Sequence, residues 1–135
     1  DFVIATGVQH SVRDFCYYAF KHVGIELEFV GEGAAEKGVI KSIHPQSAAA
    51  TNALLSVGDV LIEVSPDFFR PTDVVNLWGD PSKAREQLGW DPQKTTFEEL
   101  VKIMVESDMA KVAVERTNEH ITTNLVEYLE KGIVK

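Results

Sequence analysis

At Gly24 the apolar period of this chain changes. Before it, Val12, Phe15, Cys16, Ala19, Phe20 and Val23 recur at helical spacing; after it, Ile25, Leu27 and Phe29 alternate with Glu26 and Glu28. A 3.6-residue repeat that hands over to a two-residue repeat across one glycine predicts a helix over 11–23 followed directly by a half-buried strand. Ser11 with Asp14 three positions later supplies the helix start, a capping box in which Asp takes the usual place of Glu. Helix and strand in immediate succession exclude an all-α or all-β chain.

The rest of the sequence adds short elements of both kinds. FVIAT at 2–6 is a continuous apolar run that ends at Gly7 and predicts a buried strand. GEGAAEKG at 31–38 is a loop by composition, and its glycines do not follow the G-x-G-x-x-G spacing of a dinucleotide-binding turn. Residues 38–44 and 59–65 read as strands, with room for a helical turn in PQSAAATNALLSVG between them. From 66 to 73 two prolines keep the chain extended.

The stretch FRPTDVVNLWGDPSKAREQLGW, 69–90, is the most informative. Asp80 is placed as an N-cap with Pro81 at the first helical position, and Gly89 is placed to end that helix, with Trp90 packing beyond it. Asp91-Pro92 predicts a turn, and Thr96 with Glu99 a second capping box. Phe97, Leu100, Val101, Met104, Val105 and Val112 then mark one face of a helix over 97–114. The polar residues 115–135 form a partly helical tail around Leu125, Val126 and Leu129.

One domain-sized core fits 135 residues. A formal charge of −8 argues against nucleic acid and anionic membranes as partners, and an anionic nucleotide would need local arginines working against that field. The single cysteine, Cys16, excludes an intrachain disulfide and suits the cytoplasm; no signal peptide or membrane-length apolar run is present. The four histidines share no ligand spacing with one another or with Cys16, so no structural metal is expected. Tyr17 and Lys21 have the Tyr-x-x-x-Lys spacing of a dehydrogenase catalytic pair, but they sit off the apolar face, and so short a spacing arises readily by chance.

Three groups of residues together carry a family resemblance. DFVIATGVQHSVRDF at the start, Arg70-Pro71-x-Asp73, and Gly79-Asp80-x-x-Lys83-Ala84 leading to Leu88-Gly89-Trp90 resemble the C-terminal lobe of the extended short-chain dehydrogenase/reductases acting on nucleotide sugars, most closely the GDP-mannose 4,6-dehydratases. The likeness covers most of residues 1–110. It implies an α+β substrate-binding lobe over 1–114, with a strand–turn–strand excursion at about 38–65, whose Rossmann portion and catalytic residues precede Asp1. No catalytic residue is then expected in this chain, which opens without Met as a fragment or processed product does.

In that family an Arg pairs with the ligand diphosphate and an acid accepts from the ribose hydroxyls, which the resemblance places on Arg70 and Asp73. By spacing alone the two would read as a surface ion pair. The family usually has Glu where this chain has Asp73, one methylene shorter. Arg13, in the SVR element, is placed on the guanine-nucleotide side of the pocket, with His10 beside it. The resemblance further implies GDP-mannose as substrate, GDP-4-keto-6-deoxymannose as product, NADP held by the absent N-terminal portion, and a homo-oligomeric full-length enzyme. The isolated chain is expected to be inactive. Two other readings stand beside this one. The first is the same lobe from another nucleotide-sugar dehydratase or epimerase. The second is a peptide-binding module, because GVIKSIHPQSAAATNALLSVGDVLIEVS is similar to the middle of a PDZ domain.

Overall fold

The computed structural model describes residues 1–70 and 76–130, with side chains through residue 118. Asp73 and the Pro71 that precedes it lie outside the described residues, as do 131–135. The chain divides into two units, Asp1–Val101 and Lys102–Lys135.

The first unit begins with helix α1, Val12–His22. Ser11 and Asp14 form the reciprocal capping box: the Asp14 N–H donates to Ser11 Oγ (3.0 Å) and the Ser11 N–H to the Asp14 carboxylate (2.9 Å). The helix ends at Val23, and Gly24 turns the chain with φ +85°. A β-carbon at Gly24 would lie 2.3 Å from Cβ of Ser47, so both the left-handed backbone and the close approach require glycine. Strand β1, Ile25–Val30, follows at once, as the change of period predicts.

β1 pairs antiparallel with β2, Lys37–Ile43, which pairs antiparallel with β3, Val60–Glu63. The sheet order is β1-β2-β3. A register shift places Leu27 opposite Ile40 but Glu26 opposite Ser42 and Ile25 opposite Ile43. Ile40 and Ile43 are three apart and would face opposite sides of a regular strand; the extra residue lets both join the core, as a bulge does. Lys41 and Ser42 meanwhile both bond the Glu26 carboxylate on the other face, each at 2.9 Å. The core of Ile25, Leu27 and Ile40 is closed from α1 by Cys16, Phe20 and Val23, and from the sheet and its connections by Phe29, Ile43, Leu55, Leu61 and Ile62. The connection from β2 to β3 carries a 3-10 turn over Ala48–Thr51.

Helix α2, Ser82–Leu88, keeps its predicted cap chemistry with a shifted boundary. Pro81 sits at the N-cap position, and the Asp80 carboxylate accepts from both the Ser82 N–H (3.0 Å) and its hydroxyl (2.6 Å). These bonds hold the Asp80 pKa below the ordinary carboxylate value. Gly89 ends the helix in the left-handed region at φ 62°. Helix α3, Phe97–Glu130, opens on the predicted Thr96–Glu99 box and runs beyond residue 114.

Three expectations are corrected. Residues 66–68 form a turn, with the Phe68 N–H donating to the Ser65 carbonyl at 3.2 Å, where an extended segment is expected. FVIAT is not a strand: residues 2–6 join no sheet, and Phe2, Val3 and Ile4 are 41–63% exposed. Their neighbours are residues 77–85, which supply isolated bonds (Leu77 N–H to Gln9, Lys83 to the Asp1 carbonyl, Arg85 to the Thr6 carbonyl) but no ladder. A continuous apolar run specifies a strand only when a second strand lies beside it. The apolar stripes also overstate burial. Val12 is 81% exposed, and among the described side chains of α3 only Val101 is fully buried, while Leu100, Met104 and Val112 are exposed. Periodicity fixes a helix and its face, but not what covers that face.

Ile40 is 1% exposed at the centre of the core. Ile40→Ala should therefore lower unfolding free energy by about 2–5 kcal/mol, read by chemical denaturation. Asp14 gives a second test. Its pKa lies below the ordinary 3.8, first through the Ser11 backbone N–H and then the Ser11 hydroxyl. A carboxylate lowered on folding stabilises the fold above its unfolded pKa, and that contribution is lost as pH falls through the folded value. Denaturation midpoints measured from pH 6 downward should thus fall less steeply in the acid limb for Asp14→Asn than for the unaltered chain.

Candidate functional site

The geometry of α1 and β1 determines which end of the sheet is crowded with charge. An eleven-residue helix rises about 16 Å and a six-residue strand about 20 Å. With the reversal at Gly24, β1 returns its last residues to the start of α1, and the β1–β2 turn at 31–36 comes to rest beside Arg13. The contacts bear this out. Arg13 donates from Nε to Glu36 Oε1 at 2.8 Å, and its Nη2 bonds the same oxygen. Its guanidinium carbon lies 5.6 Å from the centre of the Phe29 ring, a cation–π contact.

The chain that carries Arg70 leaves from the same end. β3 finishes at Glu63, which pairs with Lys37 at the foot of β2 (3.1 Å). The following segment brings Phe69 against the turn: a β-carbon at Gly33 would lie 4.0 Å from Phe69 Cζ. Arg70 comes next and is exposed. Arg13, Glu36 and Phe69-Arg70, far apart in sequence, are thus gathered around one hairpin turn. Asp73 cannot be added to this cluster, since it lies outside the described residues.

His10 is placed elsewhere. It stacks flat on Phe97 of α3, centroids 3.9 Å apart and planes 4° apart, and Phe97 also meets Phe15 of α1 at a tilt and Tyr18 edge-on. Lys21 lies over the faces of Tyr17 and Tyr18, 5.7 and 5.9 Å from their centroids. The Tyr-x-x-x-Lys spacing is therefore expressed as a cation over rings, and Tyr17 is half-buried, not turned to solvent as the helical pattern suggested. Burial raises the Cys16 thiol pKa, which works against a nucleophilic thiolate. Among the described residues, no group of three or more His, Cys, Asp or Glu is arranged to hold a metal, and no helix is long and apolar enough to cross a membrane.

Glu36 was not singled out in the sequence. It lies 23 residues from Arg13, and only the turn brings them together. Compositional signals do not reach that far; the one local hint is a carboxylate closing a glycine-rich loop.

Fold and site together define a class: a small α+β unit that presents arginine side chains at one end of an antiparallel sheet. Sequence comparison then supplies the family. The family profile described as GDP-mannose 4,6 dehydratase matches residues 1–104, and this chain belongs to that family. It is 50% identical over 109 residues to a GDP-mannose 4,6-dehydratase of Vibrio cholerae serotype O1, covering 81% of this chain and 28% of the relative. It is 47% identical over 110 residues to GDP-mannose 4,6 dehydratase 2 of Caenorhabditis elegans (82% and 25%) and 42% identical over 109 residues to the Drosophila melanogaster enzyme (81% and 24%). The chain spans about a quarter of the length of these relatives. The match extends across residues 38–65, whose two strands share a sheet with β1. The PDZ-like wording of that stretch accordingly needs no separate module.

The turn itself can be probed. Gly31 has φ +83°, and a β-carbon there would meet the Ala35 carbonyl oxygen at 2.5 Å. Gly31→Ala should destabilise the chain by about 1–3 kcal/mol, read as a lower thermal midpoint.

Proposed function

We propose that this chain is the substrate-binding portion of a GDP-mannose 4,6-dehydratase, which converts GDP-mannose to GDP-4-keto-6-deoxymannose. The observation that carries the reading is an exposed arginine, Arg70, inside the family match. A guanidinium offers a planar fork of N–H donors that suits two phosphate oxygens at once. Arg70 takes the ligand diphosphate, Asp73 accepts from the ribose hydroxyls, and Arg13 assists from the first turn of α1. The chain's net charge of −8 makes such placed cations necessary, because the overall field repels a nucleotide.

The contribution to catalysis is orientation. Holding the diphosphate and ribose fixes the distant hexose, so that binding energy remote from the reacting carbons is converted into rate. NADP, the family's hydride carrier, does not fit the described residues. The glycine turn at 31–33 leads through a 3-10 turn into strand β2, whereas a dinucleotide turn opens a helix whose N-terminus meets the pyrophosphate. NADP and the acid–base residues accordingly belong to the remainder of the parent enzyme, a cytoplasmic homo-oligomer in this reading, and this chain alone is inactive. The exposed apolar side chains of Phe2, Val3, Ile4, Leu77 and Trp78 offer a surface on which that remainder can pack.

Arg70→Ala in the full-length parent should weaken GDP binding by about 2–4 kcal/mol, measured by calorimetric titration. Unchanged GDP affinity would remove the basis of the assignment.

A further inference from the structure

Arg13 is held by one edge only. Its Nε–H and one Nη2–H go to Glu36 Oε1, and no other hydrogen bond to the guanidinium exists among the described residues. The side chain of Arg13 is 59% exposed and that of Glu36 only 21%, so the carboxylate is the anchored partner and the cation the open one. Glu36 is fixed by its turn: its N–H donates to the Gly33 carbonyl at 3.2 Å, and Gly31 closes the turn with a conformation that a side chain would obstruct. At the start of α1 the capping box occupies the Ser11 and Asp14 N–H groups.

We propose that Glu36 is the positioning residue for Arg13, holding its Nε–Nη2 edge so that the Nη1–Nη2 end stands ready as a second fork for the nucleotide's phosphates. This rests on the substrate-binding reading above and adds to it a residue that touches no ligand. The physical reason is conformational. A free arginine has many rotamers to lose on binding, whereas one already fixed by a carboxylate and laid over the Phe29 ring has fewer. An exposed pair of this kind adds little to folding stability, so its consequence should appear in binding.

The test uses the full-length parent with GDP and guanosine as separate probes. Glu36→Ala should raise the Kd for GDP about tenfold while leaving guanosine affinity unchanged. Glu36→Gln, which keeps an acceptor oxygen of the same reach, should recover most of the loss. Arg13→Ala should weaken GDP at least as much, and the Glu36→Ala/Arg13→Ala double variant should be no worse than Arg13→Ala alone, because Glu36 acts through Arg13. The proposal is overturned if Glu36→Ala leaves GDP affinity unchanged or tighter, if it weakens GDP and guanosine alike, or if the two losses multiply. Arg70→Ala separates the two ideas. Weaker GDP binding in that variant beside an unaffected Glu36→Ala removes only the positioning role, whereas no effect in either removes the substrate-binding reading as well.

Discussion

The packing of α1 against β1 through the reversal at Gly24 is the contact on which the rest of the first unit is built. Phe20, Cys16 and Val23 close over Ile25, Leu27 and Ile40 because the chain doubles back with no intervening loop. The reversal also meets the far end of β2, where the His44 N–H donates to the Gly24 carbonyl at 2.7 Å. One glycine therefore both joins the helix to the strand and holds the end of the hairpin. The opposite end of that hairpin is then placed beside the start of α1.

The consequence for chemistry is economical in parts. A helix and a strand of similar length, joined without a loop, must bring the strand's end back to the helix's beginning. Arg13 needs no special device to reach the β1–β2 turn; the fold delivers the turn to it. Glu36 and Phe29 then occupy two sides of the guanidinium. The chain leaving β3 returns to the same turn at Phe69, next to Arg70. The cluster is thus a product of strand order and strand length.

Membership of the GDP-mannose 4,6 dehydratase family gives this arrangement its context. The chain spans about a quarter of its relatives, and many of its large apolar side chains are exposed. Phe2, Val3 and Ile4 have the composition of a doubly buried strand and the exposure of an unpaired one. A run of this kind reads correctly only in the company of the strands it would join. The same holds for α3, whose apolar residues beyond Val101 form a face without a fixed identity in the sequence.

What the sequence determined by itself was local. The Ser11–Asp14 and Thr96–Glu99 boxes, the end of α2 at Gly89 and the change of period at Gly24 stand as read, and Asp80 bonds the start of α2 from one position further out than expected, because each depends on hydrogen bonds or backbone conformations within a few residues. The arginine of the FRPTDV stretch was visible for the same reason, as a short pattern. Only the tertiary structure decided that Ile40 and Ile43 share the core across a bulge, that His10 stacks on Phe97, and that Glu36 grips Arg13. Those outcomes depend on register and on contacts between residues far apart in the chain, and no local preference of either partner encodes them.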